Sequence, residues 1–225
     1  MKWIILSTGL LLLLLTGPIA VAVGDETNVA GDWRLATRES SGQAPAPGST
    51  PEAVVQIYGA RAFRWRGAFA VHTWIAIKPE NATEYTTYEV VGWRAFHGGR
   101  AVQIHNEGPD RHWFGARPEL YTELRGEKAA RAIDGIRTAV LAYPYPDFYR
   151  TWPGPNSNTF VAFVTKRVPE INVDLPPTAI GKDFLANGSV FGTPPSGRGL
   201  QFSLFGLLGV IVSPDEGLEF NILGL

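Results

Sequence analysis

The N-terminal stretch from Trp3 to Gly24 restricts how this chain can fold more than any other feature, because it contains no charged residue and includes an unbroken run of leucines. Lys2 precedes it, and the small residues of Ala20–Ala22 lie near its end. A basic start, an apolar stretch of about 7–15 residues and a small-residue exit are typical of a cleaved signal peptide. A membrane anchor needs about 20 apolar residues, and this stretch also reaches that length. Residues 1–24 therefore predict either a signal peptide or a membrane anchor. Both place Lys2 inside and the rest of the chain on the periplasmic or extracytoplasmic side of the cell envelope.

The rest of the chain divides into a spacer and one domain. Residues 25–51 are polar and end in a stretch so rich in proline and glycine that it resists both helix and strand, which indicates a spacer. Residues 52–225 have an ordinary length for a single globular domain, and a hydrophobic content of 45% supplies a packed core. Because the chain contains no cysteine, disulfides, thiol nucleophiles and cysteine-based zinc sites are excluded.

Net charge and histidine spacing limit the partners and cofactors that the sequence predicts. A net charge of −1 lacks the basic surface that nucleic acid requires, so we predict no nucleic-acid partner. His97, His105 and His112 lack the short spacing typical of a zinc site, so neither a metal nor another cofactor is predicted. The predicted partners are a cell-envelope peptide or lipid, and a membrane through the N-terminal segment.

Hydrophobic periodicity predicts an α+β fold, an antiparallel sheet with a few packed helices. Period-two alternation predicts strands over residues 53–60, 68–78, 85–93 and 101–106. Helical periodicity predicts helices over residues 127–143 and from 156 or 157 to 168. Two apolar runs, residues 200–212 and 218–223, flank the turn residues 213–217 and predict a core hairpin, with surface contact to a membrane as the less favoured alternative.

One strand carries the first candidate catalytic residue. His72 lies in the middle of the second predicted strand among small alanines, and Glu89 lies in the third. If these strands pair across a four-residue loop, Lys78 faces Thr83, and His72 lies directly opposite Glu89 with Cβ atoms about 4.5–5.5 Å apart. A shift of one residue would place them on opposite faces, so this prediction depends on the register.

The start of the second predicted helix supplies the nucleophile. Trp152 and the sequence Pro-Gly-Pro precede Asn156, a favourable N-cap, which places Ser157 in the first helical turn. Free backbone N–H groups at this position can stabilise an oxyanion. A serine with a histidine base oriented by a carboxylate follows the logic of a catalytic triad.

Four stretches carry a family resemblance: residues 67–74, 152–160, 176–183 and 203–209. They resemble a bacterial family known as domain of unknown function 3750, which implies a shared fold over about the whole chain after the spacer, an envelope setting and no established activity. A strand with a histidine that precedes a helix beginning Asn156-Ser157-Asn158-Thr159-Phe160 also resembles the circularly permuted papain-like hydrolases of the NlpC type. That resemblance implies that Ser157 occupies the position of their cysteine.

Two functional hypotheses follow. In the first, a serine variant of a papain-like hydrolase or acyltransferase acts on cell-wall peptide or lipid, with Ser157 as nucleophile, His72 as base and Glu89 orienting His72. The backbone N–H of Ser157 or Asn158 would hold the oxyanion, and binding would involve Asn156, Asn158, Trp74 and Trp152. In the second, the same fold is a non-catalytic binding or scaffolding module, because a serine hydroxyl, unlike a thiol at a helix N-terminus, needs a base to remove its proton.

Overall fold

The computed structural model describes residues 2–24 and 32–222. The apolar leader forms helix α1, Lys2–Val23. Within these described ranges, no helix is both long enough and apolar enough to cross a membrane. The choice between a signal peptide and an anchor stays a prediction. Residues 25–31 of the predicted spacer and Leu223 of the predicted hairpin lie outside the described ranges.

A five-stranded antiparallel sheet, here called the central sheet, has the strand order β4-β3-β2-β1-β5. Its strands are β1 Val54–Arg61, β2 Val71–Lys78, β3 Thr86–Val90, β4 Val102–His105 and β5 Glu119–Arg125. The four predicted strands correspond to β1–β4. Together with the helices that pack on this sheet, they confirm the α+β class.

Two parts of the central sheet differ from the sequence prediction. Periodicity does not predict β5, because its short alternation of apolar and polar residues runs directly into the helical pattern that follows. The third predicted strand extends to residue 93, whereas β3 ends at Val90 and a short helix α2, Gly92–Phe96, follows. A Cβ atom at Gly92 would lie 2.5 Å from the Tyr149 ring, so the chain turns here against a loop that is distant in sequence.

Two helices cover one face of the central sheet. α3, Gly126–Leu141, is amphipathic and packs its apolar side inward, and α4, Ser157–Thr165, is buried along its whole length. Both predicted helices are therefore present, although α4 ends three residues before the predicted end. The main core comprises residues of these helices and of the strands, among them Val55, Ile57, Ile75, Ile77, Ile133, Ile136, Phe160 and Val164. Each large apolar side chain in it contributes about 1.5–3 kcal/mol through its burial.

The other face of the central sheet is also covered. Tyr58 and Trp74 project from β1 and β2 into a second cluster, which includes Trp113 and Phe114 from the loop between β4 and β5. The sheet therefore has buried side chains on both faces, and the residues of β2 are buried throughout.

Part of the predicted spacer packs against this second face. The Asp110 carboxylate accepts hydrogen bonds from Ser40 Oγ at 2.9 Å and from the Gln43 backbone N–H at 2.6 Å. Ser40 also forms an isolated antiparallel bridge with Arg111. The end of the segment that precedes residue 52 is thus held to the domain by specific hydrogen bonds.

A second, smaller antiparallel sheet follows, here called the C-terminal sheet, with the order β6-β7-β8-β9. Its strands are β6 Phe191–Gly192, β7 Leu200–Leu204, β8 Leu208–Ser213 and β9 Gly217–Ile222. The sequence predicts one hairpin, whereas residues 200–212 themselves contain two strands joined by a tight turn. Phe205 and Gly206 in that turn have positive φ angles of 53° and 71°. The sequence does not predict this turn, because asparagine rather than phenylalanine usually occupies the first of two positions with positive φ. The prediction that this hairpin lies in the core is also wrong, since Ile211 is buried but most of its other large apolar side chains are exposed.

Candidate functional site

The cap of α4 engages one of the two backbone N–H groups that were predicted to hold an oxyanion. The Asn156 side-chain oxygen accepts hydrogen bonds from the backbone N–H of Asn158 at 3.0 Å and of Thr159 at 3.1 Å. The Asn156 amide group donates to the Ile180 carbonyl oxygen at 2.9 Å. An asparagine N-cap satisfies the free N–H groups of the first turn in this way. The Asn158 N–H, which was predicted to help hold an oxyanion, is therefore already engaged.

The residue of β2 that faces the start of α4 is Thr73. Thr73 Oγ1 donates to Asn158 Oδ1 at 2.9 Å and lies 3.5 Å from the Ser157 carbonyl oxygen. The Asn158 amide group donates in turn to the Val71 carbonyl oxygen at 3.0 Å. Because successive side chains of a strand point to opposite faces, His72 projects from the other side of the sheet. In the part of the chain that the structure describes, no hydrogen bond joins Ser157 to His72, and Thr73 rather than His72 lies beside Ser157.

His72 and Glu89 are brought together, but through a different register. His72 Nε2 lies 2.9 Å from Glu89 Oε2. β2 and β3 pair Ile75 with Tyr88 and Ile77 with Thr86, two residues away from the predicted register, because the loop between the strands is longer than assumed. Since the side-chain period of a strand is two, this shift keeps both residues on the same face and makes them diagonal neighbours.

Glu89 is the centre of a buried polar network. Its Oε1 atom accepts hydrogen bonds from Arg111 at 2.7 Å and lies 2.9 Å from His105 Nε2. A second nitrogen of Arg111 pairs with Glu107 at 3.3 Å, and the guanidinium lies 5.6 Å from the centre of the Trp74 ring. Sequence reasoning missed His105 and Arg111. Alternation in the fourth predicted strand offered a signal for His105, whereas Arg111 lies in a loop without periodicity.

This network sets the protonation of its members. Burial by itself raises the pKa of Glu89, but hydrogen bonds from His105 and His72 and the charge of Arg111 outweigh it and lower the pKa below its ordinary range. Burial lowers the pKa of His72, against the opposing effect of Glu89. A neutral His72 beside an ionised Glu89 carries its proton on Nε2, because a carboxylate can only accept. Nδ1 is then the acceptor nitrogen, the form that a general base requires.

The surroundings of His72 are aromatic. Its ring stacks on Trp113 with centroids 3.7 Å apart and planes at 11°. Trp74, which was predicted to bind a ligand, is 0% exposed, and its Nε1–H donates to the Pro109 carbonyl oxygen at 2.7 Å. Trp74 therefore offers no surface to a ligand, and the same holds for the buried caps Asn156 and Asn158.

Comparison with known proteins identifies the family of this chain. The sequence model of a family described as a protein of unknown function, DUF3750, matches residues 52–184, more than half of the chain. The chain belongs to the DUF3750 family. Neither the curated proteins nor the solved structures contain a significant match. The matched part of this DUF3750 chain holds the whole central sheet, α3 and α4, and it ends before the C-terminal sheet begins.

Trp152 is the one predicted binding residue of the DUF3750 domain that is exposed. We use the name aromatic rim for four exposed aromatic side chains, Trp65, Phe96, Phe148 and Trp152. The Tyr149 ring lies beside one of them, with its centroid 5.8 Å from that of Phe96. Burial raises the pKa of the Tyr149 hydroxyl, whereas a hydrogen bond with Thr151 and the nearby charge of Arg66 oppose that rise.

Arginine side chains accompany the aromatic rim. The Arg66 guanidinium lies 5.1 Å from the centre of the Trp65 ring, and that of Arg150 lies 5.8 Å from the centre of the Phe148 ring. Both arginines are exposed. Two of the four rim side chains therefore combine a flat apolar face with an adjacent positive charge.

A cavity of about 360 Å³ lies at the opposite end of α4. Its walls include Phe163, Lys166, Arg167, Phe184 and Leu185. Burial lowers the pKa of Lys166 to about 8, and its ammonium group donates to Gln201 Oε1 at 2.8 Å. The predicted site around Ser157 does not coincide with this cavity.

Proposed function

We propose that the DUF3750 domain of this chain is a non-catalytic binding module of the cell envelope, and that the aromatic rim binds an acidic glycan such as the cell-wall polymer. The observation that carries the proposal is the placement of Thr73, rather than His72, beside Ser157. A threonine hydroxyl cannot remove a proton from serine near neutral pH, so Thr73 cannot act as the base for Ser157.

The structural role of the α4 cap supports the same conclusion. Asn156, Asn158 and Thr159 are buried, and their side chains bind backbone carbonyl groups or one another. A substrate carbonyl at this place would have to displace the Asn156 side chain from two backbone N–H groups. Each such hydrogen bond contributes about 1 kcal/mol, and a buried partner left without it costs about 1–3 kcal/mol.

The chemistry of the aromatic rim supports binding of an acidic glycan. Exposed aromatic side chains that cluster on one surface commonly mark an interaction site. Flat rings such as those of Trp65 and Trp152 pack well against the apolar face of a sugar ring. The guanidinium groups of Arg66 and Arg150 can form charge-assisted hydrogen bonds with carboxylates on such a polymer.

Co-sedimentation with purified peptidoglycan sacculi tests the proposal. We expect the chain to pellet with sacculi, and the double variant Trp65→Ala with Trp152→Ala to bind about tenfold more weakly, a loss of about 1.4 kcal/mol. Trp33→Ala is the matched control, because Trp33 is equally exposed and has Arg34 stacked on it at 5.0 Å but lies in the preceding segment. Equal losses for the rim and control variants, or no pelleting of the unmodified chain, would refute the assignment.

The hydrolase hypothesis remains the second candidate, because His72 is oriented by Glu89 as a base in a triad would be. In that hypothesis Ser157 attacks a cell-wall amide or ester. A serine-directed fluorophosphonate distinguishes the two candidates, with Ser157→Ala as its control. We expect no labelling above that of Ser157→Ala, whereas labelling that both Ser157→Ala and His72→Ala abolish would favour the hydrolase.

A further inference from the structure

The C-terminal sheet has its apolar side chains on the outside. Along β7, β8 and β9 every second residue is a large apolar one that points outward, and the residues between them point toward the domain. The outward residues form three cross-strand rows: Leu200, Val212 and Leu218; Phe202, Val210 and Phe220; Leu204, Leu208 and Ile222. All of them are exposed except Val210, which is half-buried. We call this surface the outer face of the C-terminal sheet.

Specific polar contacts explain why the sheet has this orientation. On its inner face, Glu219 accepts a hydrogen bond from Lys182 Nζ at 2.5 Å, and the Asn221 amide group donates to Asp183 Oδ2 at 2.8 Å. Gln201 accepts from Lys166 and donates to the Asp183 backbone oxygen at 3.3 Å. Because Lys182 and Asp183 are buried, turning the sheet over would leave these charges without partners, at a large cost in free energy. The inner face is therefore fixed, and the apolar residues must lie outside.

The composition of the outer face indicates what covers it. Its three rows contain no polar side chain, whereas about 56–65% of the area of a typical protein interface is apolar, with polar groups that hydrogen-bond the partner. A protein partner would find no side-chain hydrogen bond here. Hydrocarbon needs none, and an outward face of this composition is the one that a sheet presents to lipid.

Charged side chains around the sheet are paired, hydrogen-bonded or turned away from the outer face. Arg198 pairs with Asp215 at 3.2 Å at one end. Glu216 in the β8–β9 turn is held by the Ser196 and Ser213 hydroxyls, and Glu219 points inward. Since the outer face is uncharged and Arg198 at its end is already paired, an uncharged lipid surface is sufficient and no anionic headgroup is required.

We propose that the outer face of the C-terminal sheet docks into the boundary between the headgroups and the acyl chains of a lipid bilayer. If the N-terminal leader is retained as the predicted anchor, it supplies a second membrane-directed element in the same chain, and two such elements attach a protein to a bilayer more stably than one. This inference does not depend on what the aromatic rim binds.

A polarity-sensitive fluorophore tests the docking directly, because the chain has no cysteine and a single introduced one is labelled uniquely. Leu218→Cys places the label on the outer face in the full-length chain. With uncharged phosphatidylcholine vesicles, we expect a blue shift and a rise in emission of about threefold, as a label leaves water for an apolar environment. Vesicles with acyl chains brominated near the headgroup should quench that emission.

Leu141→Cys is the matched control, because Leu141 is an exposed leucine at the end of α3, away from the C-terminal sheet. Both variants carry the same leader, so attachment through the leader alone cannot distinguish them. Phe202→Cys repeats the measurement on β7 in case the first variant folds poorly.

Three outcomes would overturn the inference. In the first, the label at 218 responds no more than the label at 141 while the protein floats with the vesicles. In the second, the label is already shielded in a vesicle-free sample whose mass is that of a dimer, so that a second copy covers the face. In the third, it is shielded in a vesicle-free monomer, so that the leader covers it.

Discussion

The central sheet and the C-terminal sheet follow the same alternation of side chains but use it in opposite ways. In the central sheet both faces are buried, one under α3 and α4 and the other under loops. In the C-terminal sheet the polar side chains face the protein together with Ile211, and the other large apolar side chains of β7–β9 face outward. Alternation therefore identifies a strand and its two faces, but the partners of the polar residues decide which face turns inward.

The family match separates the two sheets as well. Residues 52–184 include the central sheet together with Lys182 and Asp183, the two charged residues to which the C-terminal sheet is attached. The strands of the C-terminal sheet lie beyond that match. Lys182 and Asp183 thus lie inside the family match, whereas the strands that they hold lie outside it.

The largest expected contrast between the sheets concerns packing. Trp74→Ala removes a fully buried ring from the central sheet and should lower the free energy of unfolding by about 3–5 kcal/mol. Phe220→Ala removes a ring that is 66% exposed on the C-terminal sheet and should change it by less than about 0.5 kcal/mol. Urea denaturation of both variants measures the difference. Similar losses would mean that the outer face is buried in solution.

A smaller effect is expected at the attachment of the C-terminal sheet. Lys182→Met leaves the carboxylates of Asp183 and Glu219 without their cation, and it should cost about 2–3 kcal/mol. We expect faster amide hydrogen exchange in residues 200–222 and unchanged exchange in β1 and β2. Arg198→Met, which breaks an exposed ion pair, is the control and should cost no more than about 1 kcal/mol. If exchange rises equally in both sheets, the two do not unfold separately.

The smallest effect concerns pH and the central sheet alone, because the described C-terminal strands contain no histidine. The folded pKa of His72 lies below its ordinary value of 6.5. The stability that the neutral His72 contributes to the folded state is therefore fully present above about pH 6.5. It is lost as the pH falls through the folded pKa, because the unfolded chain takes up the proton first. Glu89 acts in the same direction at lower pH, below its ordinary value of 4.5.

Unfolding of the His72→Gln variant should therefore depend less on pH between 7 and 5 than unfolding of the unmodified chain. The introduced amide can still donate to Glu89. His97→Gln alters an exposed histidine and serves as the control. A pH dependence that His72→Gln leaves intact would show that other groups control acid stability.

Local patterns revealed much of the fold. Period-two alternation located β1–β4, and helical periodicity located α3 and α4, because in these segments burial and secondary structure impose the same period. β5 was missed because it runs without a break into α3. The turn at Phe205 was missed because the positive φ angle there comes from the chain closing on itself rather than from a typical turn residue.

The candidate site was harder to predict, since it depends on which face of a strand meets which helix. Alternation correctly placed His72 and Glu89 on the same face of the sheet. The register differs from the predicted one by two residues, which does not change the face to which a side chain points. The sequence could not show that α4 packs on the face of Thr73, because that choice depends on the core formed by Ile75, Ile77 and α4. Arg111 and Trp113 come from a loop whose path is set by long-range contacts such as that of Asp110 with Ser40.

The backbone groups that bind the α4 cap and the charged residues that hold the C-terminal sheet lie on one short segment, residues 180–183. Asn156 binds the Ile180 carbonyl oxygen, and Thr159 Oγ1 donates to that of Gly181 at 2.7 Å. A side chain at position 181 would clash with Asn156, since a Cβ atom there would lie 2.4 Å from its amide nitrogen. Lys182 comes next and holds Glu219 of β9. The C-terminal sheet and the first turn of α4 are therefore coupled through residues 180–182. A displacement of the C-terminal sheet would be transmitted to the α4 cap through this short segment.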